Sequence, residues 1–256
     1  MRLIKSENMT SGQVLFYLPE GVYSGLFVTF KGTNVEGNAL LSRDLGYVKL
    51  NYNGQELINV RSEFFIERAN LLGGSTLQSS IENSDFTFTF FVPFRLKKDS
   101  TNVLVVAPNS VSFILSNFST NVVSGTIDVY AVFSEGVAKY LPYIKEHNVD
   151  FAGASTKQVN FTQPNIEELY ILNPGNISRI SVLRDGKLIV DSDLTSLQSY
   201  SNAFNMIEDT TYNKLLEVIA QKNEFTSGVK ETQMTLTTSS AIFEVNNILF
   251  YIVPFF

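Results

Sequence analysis

The chain has no cysteine and no tryptophan, and its single histidine is His147. Without cysteine there are no disulfides, no thiolate metal ligands and no thiol nucleophile. One histidine rules out the histidine-rich metal centres of cupin-type barrels. A Ser-His-Asp triad would have to use His147, and no nucleophile-elbow pattern accompanies it. Charge is scarce too: Asp, Glu, Lys and Arg make up 17% of the residues, with a formal net charge of −6. That balance lacks the basic footprint of direct nucleic-acid binding. No run reaches the ~18 apolar residues of a membrane-spanning helix. Met1–Thr10 lacks the apolar core and cleavage site of a signal peptide. Gly73-Gly74 follows a helical segment and lacks a following Lys-Ser/Thr, so it is no phosphate loop.

What is present is β-forming. The sequence carries 21 Phe among its 256 residues and is rich in Val, Ile, Thr, Ser and Asn, a composition of β-sandwiches rather than α/β enzymes. Asp85–Phe94 alternates with period two, placing Phe86, Phe88 and Phe90 on one face and Thr87 and Thr89 on the other. Further strands are predicted at Gln13–Leu18, Leu26–Phe30, Tyr47–Tyr52, Glu56–Val60, Asn102–Ala107, Val111–Ser116 and Thr126–Phe133. One helix interrupts them over Arg61–Leu72, where Phe64, Phe65, Arg68 and Leu72 space helically, Ser62 can cap and Gly73-Gly74 ends the run. The pattern lapses around Ser134–Ser155, which reads as a connector with at most one short helix and with His147 on its surface. A second series follows at Lys157–Phe161, Glu168–Leu172, Ile177–Leu183, Lys187–Val190, Thr232–Thr238 and Ala241–Val253. A second helix is predicted from Asp193 to Ile207; beyond it Tyr212, Leu215, Leu216 and Ile219 have helical spacing, but Leu216–Ala220 fits a strand equally well.

The two series echo each other. Val48–Ile58 (VKLNYNGQELI) and Ile180–Val190 (ISVLRDGKLIV) each carry an apolar-alternating run, an Asn-Gly or Asp-Gly pair and a second apolar run, then a helical segment. Gly54 and Gly186 lie 186 − 54 = 132 positions apart. Asn-Gly and Asp-Gly between strands predict two-residue type I′ hairpins, because both central residues need positive φ. The fold class expected is all-β: two tandem eight-stranded jelly-roll sandwiches with short helices, at 1–135 and 156–256, joined by a connector at 136–155.

No catalytic, cofactor-binding or metal-ligating residue is assigned. Asp185, Asp191 and Asp193 resemble the opening of a calcium loop, but its Gly and terminal Glu are missing. Their simpler roles are the turn and the helix start; the alternative is a structural calcium ion between subunits. Glu63 and Glu67, with Arg68 nearby, are expected on a solvated helix face rather than as a glycosidase pair. Asn-x-Ser/Thr sequons begin at Asn8, Asn117, Asn160 and Asn176; with no signal peptide expected, they are expected to reflect a sequence rich in Asn, Ser and Thr rather than glycan sites. Phe91, on the face opposite Phe90, is expected to meet the other sandwich or another subunit.

Tyr47–Leu72, Ser178–Ile207 and the closing strand Ala241–Val253 carry a resemblance. With few charges and no catalytic set, the chain resembles the major capsid proteins of the double jelly-roll lineage. The nearest kind are the small versions of tailless icosahedral bacteriophages with an internal membrane, of corticovirus or finnlakevirus type. The resemblance implies a non-enzymatic homotrimer whose six jelly rolls form a pseudo-hexagonal capsomer in a virion assembled in the host cytoplasm. Other capsid proteins such as a penton, and the internal membrane, are the implied partners, with no nucleic acid and no small-molecule substrate. The first residues, with Arg2 and Lys5, are expected to form an arm toward the membrane or an adjacent capsomer. The alternative is a carbohydrate- or receptor-binding β-sandwich of spike or adhesin type.

Overall fold

Alternating apolar residues dictate two sheets in the first half of the chain. In this computed structural model, residues 1–8, 12–34, 45–71, 85–94, 103–116, 118, 122–136, 141–164, 166–205, 214–219, 231–238 and 247–255 are described. The first half forms β1 (Arg2–Asn8), β2 (Gln13–Tyr17), β3 (Gly21–Asn34), β4 (Tyr47–Tyr52) and β5 (Gln55–Arg61). The helix α1 (Ser62–Leu71), then β6 (Asp85–Pro93), β7 (Leu104–Val106), β8 (Val111–Ser116) and β9 (Val122–Phe133) complete it. Strands order as β1-β9-β3-β6, with β7 also on β3, and as β5-β4-β8-β2.

The pairing registers line up the buried rows. Val92, Leu26 and Ala131 sit opposite one another, as do Phe90, Val28 and Val129, and all six are buried. From the second sheet, Val48, Leu50, Val60, Val111, Phe113 and Leu115 are fully buried. Phe65 of α1 stacks on Phe90 at 6.1 Å between ring centroids. Inward apolar rows alternating with outward polar ones are the mark of a sandwich.

The second half forms β10 (Leu141–Val149), β11 (Thr156–Phe161), β12 (Glu168–Leu172), β13 (Ile177–Arg184) and β14 (Lys187–Asp193). The helix α2 (Leu194–Phe204) follows, then β15 (Leu215–Ile219), β16 (Thr232–Thr238) and β17 (Asn247–Phe255). Their orders, β10-β17-β12-β15 and β14-β13-β16-β11, repeat both four-strand orders of the first half, and among the described residues only β7 has no counterpart. The chain divides into two compact units, Met1–Asn70 with Gly74–Tyr143, and Ile144–Pro254.

Two expectations need correcting. The segment 136–155 is more than a connector: Leu141–Val149 is a strand, and it occupies the place in the second half that β1 holds in the first. Its buried Ile144 and Val149 are too widely spaced among charged residues to register as alternation. The expected N-terminal arm is also a strand. Residues Arg2–Asn8 pair antiparallel with β9, and Ser6 donates to Asp128 Oδ1 at 2.6 Å. Backbone pairing with a distant strand supplies what local pattern does not show.

Glycine matters where backbones meet. A Cβ on Gly125 would sit 2.8 Å from Gly32 Cα across the β3–β9 pair, and one on Gly25 would sit 2.7 Å from the Val92 carbonyl oxygen. The Phe91 ring lies over Gly25 and 4.8 Å from the Phe27 ring centroid, so this half-buried aromatic packs within its own sheet.

Candidate functional site

The two hairpin corners are the feature that the sequence singles out, and their geometry matches in detail. Asn53 and Gly54 have φ of 49° and 80°; Asp185 and Gly186 have 46° and 76°. Both turns therefore have the positive φ pair of type I′. Each hairpin carries a bulge at the same step, with Leu57 and Ile189 as the extra residues. The strands Gln55–Arg61 and Lys187–Asp193 and the helix starts Ser62 and Leu194 keep the same 132-residue offset as the glycines. Even the tie to the neighbouring strand repeats. Asn53 N donates to the Ser110 carbonyl at 2.7 Å just before β8, and Asp185 N to the Glu231 carbonyl at 3.1 Å just before β16.

The side chains do not repeat. Leu57 is 1% exposed and Ile189 is 42% exposed. Leu188 stands where the first copy has Glu56, and Tyr200, 61% exposed, where it has Arg68. Helix α1 carries Glu63, Glu67 and Arg68, whereas α2 (LTSLQSYSNAF) has no charged residue. A charge-free helix with an exposed tyrosine, beside a strand whose exposed Leu188 and Ile189 lie between Lys187 and Asp191, combines the apolar centre and the charged rim of a protein–protein interface.

The three aspartates suspected of calcium binding have separate jobs. Asp185 forms the turn, and its Oδ1 accepts from Glu231 N at 2.9 Å. Asp191 receives two hydrogen bonds from Arg179, at 2.8 and 2.7 Å, which hold its carboxyl below the usual carboxylate range. Asp193 caps α2, accepting from Ser196 N at 2.9 Å and Ser196 Oγ at 2.7 Å, and these bonds lower its pKa as well. No grouping of three or more potential metal ligands occurs among the described residues.

The remaining sequence candidates disperse. Ser62 does not cap α1; it is buried, with Oγ donating to the Leu45 carbonyl at 3.0 Å and N to the Gly46 carbonyl at 2.8 Å. Glu67 is buried, contrary to the expected solvated face, and accepts from Asn70 Nδ2 at 3.3 Å, while Glu63 is half-buried. His147 is exposed on β10, with its ring edge-on to Phe161 at 6.4 Å. Asn8 and Asn160 are exposed on strands and Asn176 closes a short 3-10 turn, while Asn117, like the glycine pair at 73–74, lies outside the described residues. The side chains of Phe86 and Phe88 also lie outside them.

Two polar clusters escaped the sequence reading because their members are far apart in the chain. The Tyr170 hydroxyl donates to Glu168 Oε2 at 2.6 Å and lies 3.4 Å from Glu217 Oε1, while Asn205 Nδ2 donates to Glu217 Oε2 at 3.0 Å. This buried knot ties β12, β15 and the end of α2 together. In the first half, Lys31 Nζ lies 3.1 Å from Asp128 Oδ2, beside the Ser6 bond. Burial pushes the Asp128 carboxyl up, but the Ser6 and Lys31 bonds outweigh it and leave its pKa lowered. Ser6, Asp128 and Lys31 thus clip β1 onto the sheet.

No family model and no curated protein matches the sequence. Solved structures do. The major capsid protein P2 of bacteriophage PM2 is similar over 100% of this chain and 96% of its own, with a TM-score of 0.65 and 11% identity. The STIV major capsid protein gives a TM-score of 0.71 at 10% identity, over 99% of this chain and 95% of its own. PBCV-1 VP54, fitted into a reconstruction of the virophage Sputnik, gives 0.62 at 8% identity, over 99% and 92%. The repeated strand order and the full-length coverage together establish the fold: the chain is a double jelly roll, the fold of these viral capsid proteins.

Proposed function

We propose that the chain is a major capsid protein whose two sandwiches serve together as one tile of a virus shell. Three copies associate, and their six jelly rolls give a near-sixfold outline from threefold symmetry, which fits hexagonal packing on an icosahedral shell. The shell encloses an internal membrane and takes other capsid proteins, such as a penton, at its remaining positions. Assembly takes place in the host cytoplasm. The role is structural and calls for no catalytic residue.

The observation that supports this best is the same eight-strand order appearing twice in one chain, in a fold matched end to end by viral major capsid proteins. A repeat that carries no shared catalytic residues is itself the working device. Light scattering on the purified protein tests the reading: the expected mass is about three times the 28.6 kDa chain. Electron microscopy should then show hexagonal arrays or shells. A monomer that binds a glycan at a defined site would overturn the proposal in favour of a receptor- or carbohydrate-binding sandwich.

A further inference from the structure

Among the described residues, β14 and β1 are each the outermost strand of a sheet. Both are seven residues long and largely exposed. An open edge presents a row of unpaired backbone N–H and C=O groups, a template for another strand. On β14 that edge carries Leu188 and Ile189, 53% and 42% exposed, and the charge-free α2 follows it with Tyr200. On β1 it carries the exposed Leu3, and the clip of Ser6, Asp128 and Lys31 holds the strand in place.

We infer that β14 of one copy pairs antiparallel with β1 of a second copy, joining the second sandwich of one chain to the first sandwich of the next. The inference rests on the capsid-tile reading, because a closed ring of three chains meets through unlike surfaces, one from each end of the chain. The charges choose the direction. Antiparallel pairing sets Arg2 and Lys5 against the end of β14 that holds Asp191 and Asp193, and brings Glu7 beside Lys187. Parallel pairing would set Arg2 beside Lys187 and Glu7 beside the two aspartates, and like charges across a strand pair are destabilising. Both edges also carry a lysine and a bulge, at Ile4 on β1 and Ile189 on β14. These devices discourage indiscriminate edge pairing. Here the same charges select one partner.

The absence of native cysteine makes the test clean. Ile4→Cys is combined in turn with Leu188→Cys, Val190→Cys and Ser192→Cys, and the full-length protein is oxidised with copper phenanthroline. Antiparallel paired residues come within the Cα separation that a disulfide spans, about 4.4–6.8 Å. At least one double variant should give linked dimers and trimers, at roughly ten times the yield of its single variants, a margin set by the strictness of disulfide geometry. A linked dimer from Val190→Cys alone would mean that β14 pairs with itself, and would overturn the inference. A charge exchange needs no cysteine. Lys187→Glu and Glu7→Lys should each raise the concentration for half-dissociation of the trimer about three- to tenfold at low salt, and together restore it. A trimer that shows neither cross-linking nor restoration would sink the strand pairing and leave the capsid tile standing. A wild-type monomer that forms no arrays would sink both.

Discussion

Leu57 and Ile189 occupy the same bulge of the same hairpin in the two halves of the chain, and one is buried while the other faces solvent. The shared part of the two corners is the part that local chemistry dictates. An Asn-Gly or Asp-Gly pair takes positive φ at two successive residues, and the tight turn then fixes the register of both arms. The differing part is what the rest of the chain decides. The first corner packs Leu57, Ile58, Val60, Phe64 and Phe65 out of water, whereas the second leaves Leu188, Ile189 and Tyr200 exposed. A duplicated corner thus separates two kinds of information. Its backbone reports how the fold is made, and its unlike side chains report where the molecule has surface left to use.

The largest effect expected from this contrast is at the bulge residues. Leu57→Ala should cost about 2–4 kcal/mol of unfolding free energy, the usual penalty for a cavity in a packed core. Ile189→Ala should stay within about 0.5–1 kcal/mol, because an exposed side chain loses little on truncation, and should weaken the proposed trimer instead. Urea unfolding of the two variants compares them directly, and equal losses would mean that Ile189 is covered within the single chain. The turn glycines should behave alike, unlike the bulges. Gly54→Val and Gly186→Val force a branched side chain into left-handed backbone at about 1–2 kcal/mol each. An added Cβ meets nothing within 4 Å at either site, so strain is the whole cost. A difference of more than about 1 kcal/mol between the two, on the scale of that strain, would show that the corners are not equivalent. Smaller still is the helix start. Asp193→Ala should fray the first turn of α2 by removing its cap, read as faster amide exchange at Ser196. Arg61 holds the matching place in the first copy. It instead lies 5.9 Å over the Tyr47 ring, so Arg61→Ala should leave the start of α1 unfrayed in amide exchange.

Much of this was legible in the sequence, and the gaps have physical causes. Strands β4, β8, β12 and β16 begin and end where the apolar pattern does, and both turns announce themselves by their glycine pairs. Strand β15 has no period to read, because Leu215–Ile219 is buried at every position and a continuous apolar run fits helix and strand alike. The polar strand β1 and the charged strand β10 owe their form to distant partners, β9 and β17, which no local window contains. At the corners, the glycine pairs announce the matching turns, but nothing local announces the contrast in exposure. Glu67 looks like a surface residue and is buried, while Ile189 looks like core and is not. Aligning the copies at their glycines would have exposed part of it, since Glu56 faces Leu188 and Arg68 faces Tyr200 in that alignment.

The two corners should also part company in acid. In the second corner, Arg179 lowers the pKa of Asp191, and the amide and hydroxyl of Ser196 lower that of Asp193. A carboxyl with a lowered folded-state pKa contributes stability that is present above its unfolded value, about 3.9 for aspartate. That contribution is lost as pH falls through the folded value. The cap of α2 and the ion pair between β13 and β14 should therefore loosen together below about pH 4, the ordinary aspartate range. Both groups are exposed, so salt screens part of the effect and the change should be local rather than global. The first corner has no aspartate at the matching positions: Asn59 and Arg61 stand where Asp191 and Asp193 do. Amide exchange of Thr195, Ser196 and Leu197, followed from pH 7 down to pH 3 and corrected for intrinsic rates, should show protection falling at the acid end. The matching amides of Glu63, Phe64 and Phe65 provide the internal comparison, and equal loss at both corners would show that acid acts on the whole fold rather than on this cap.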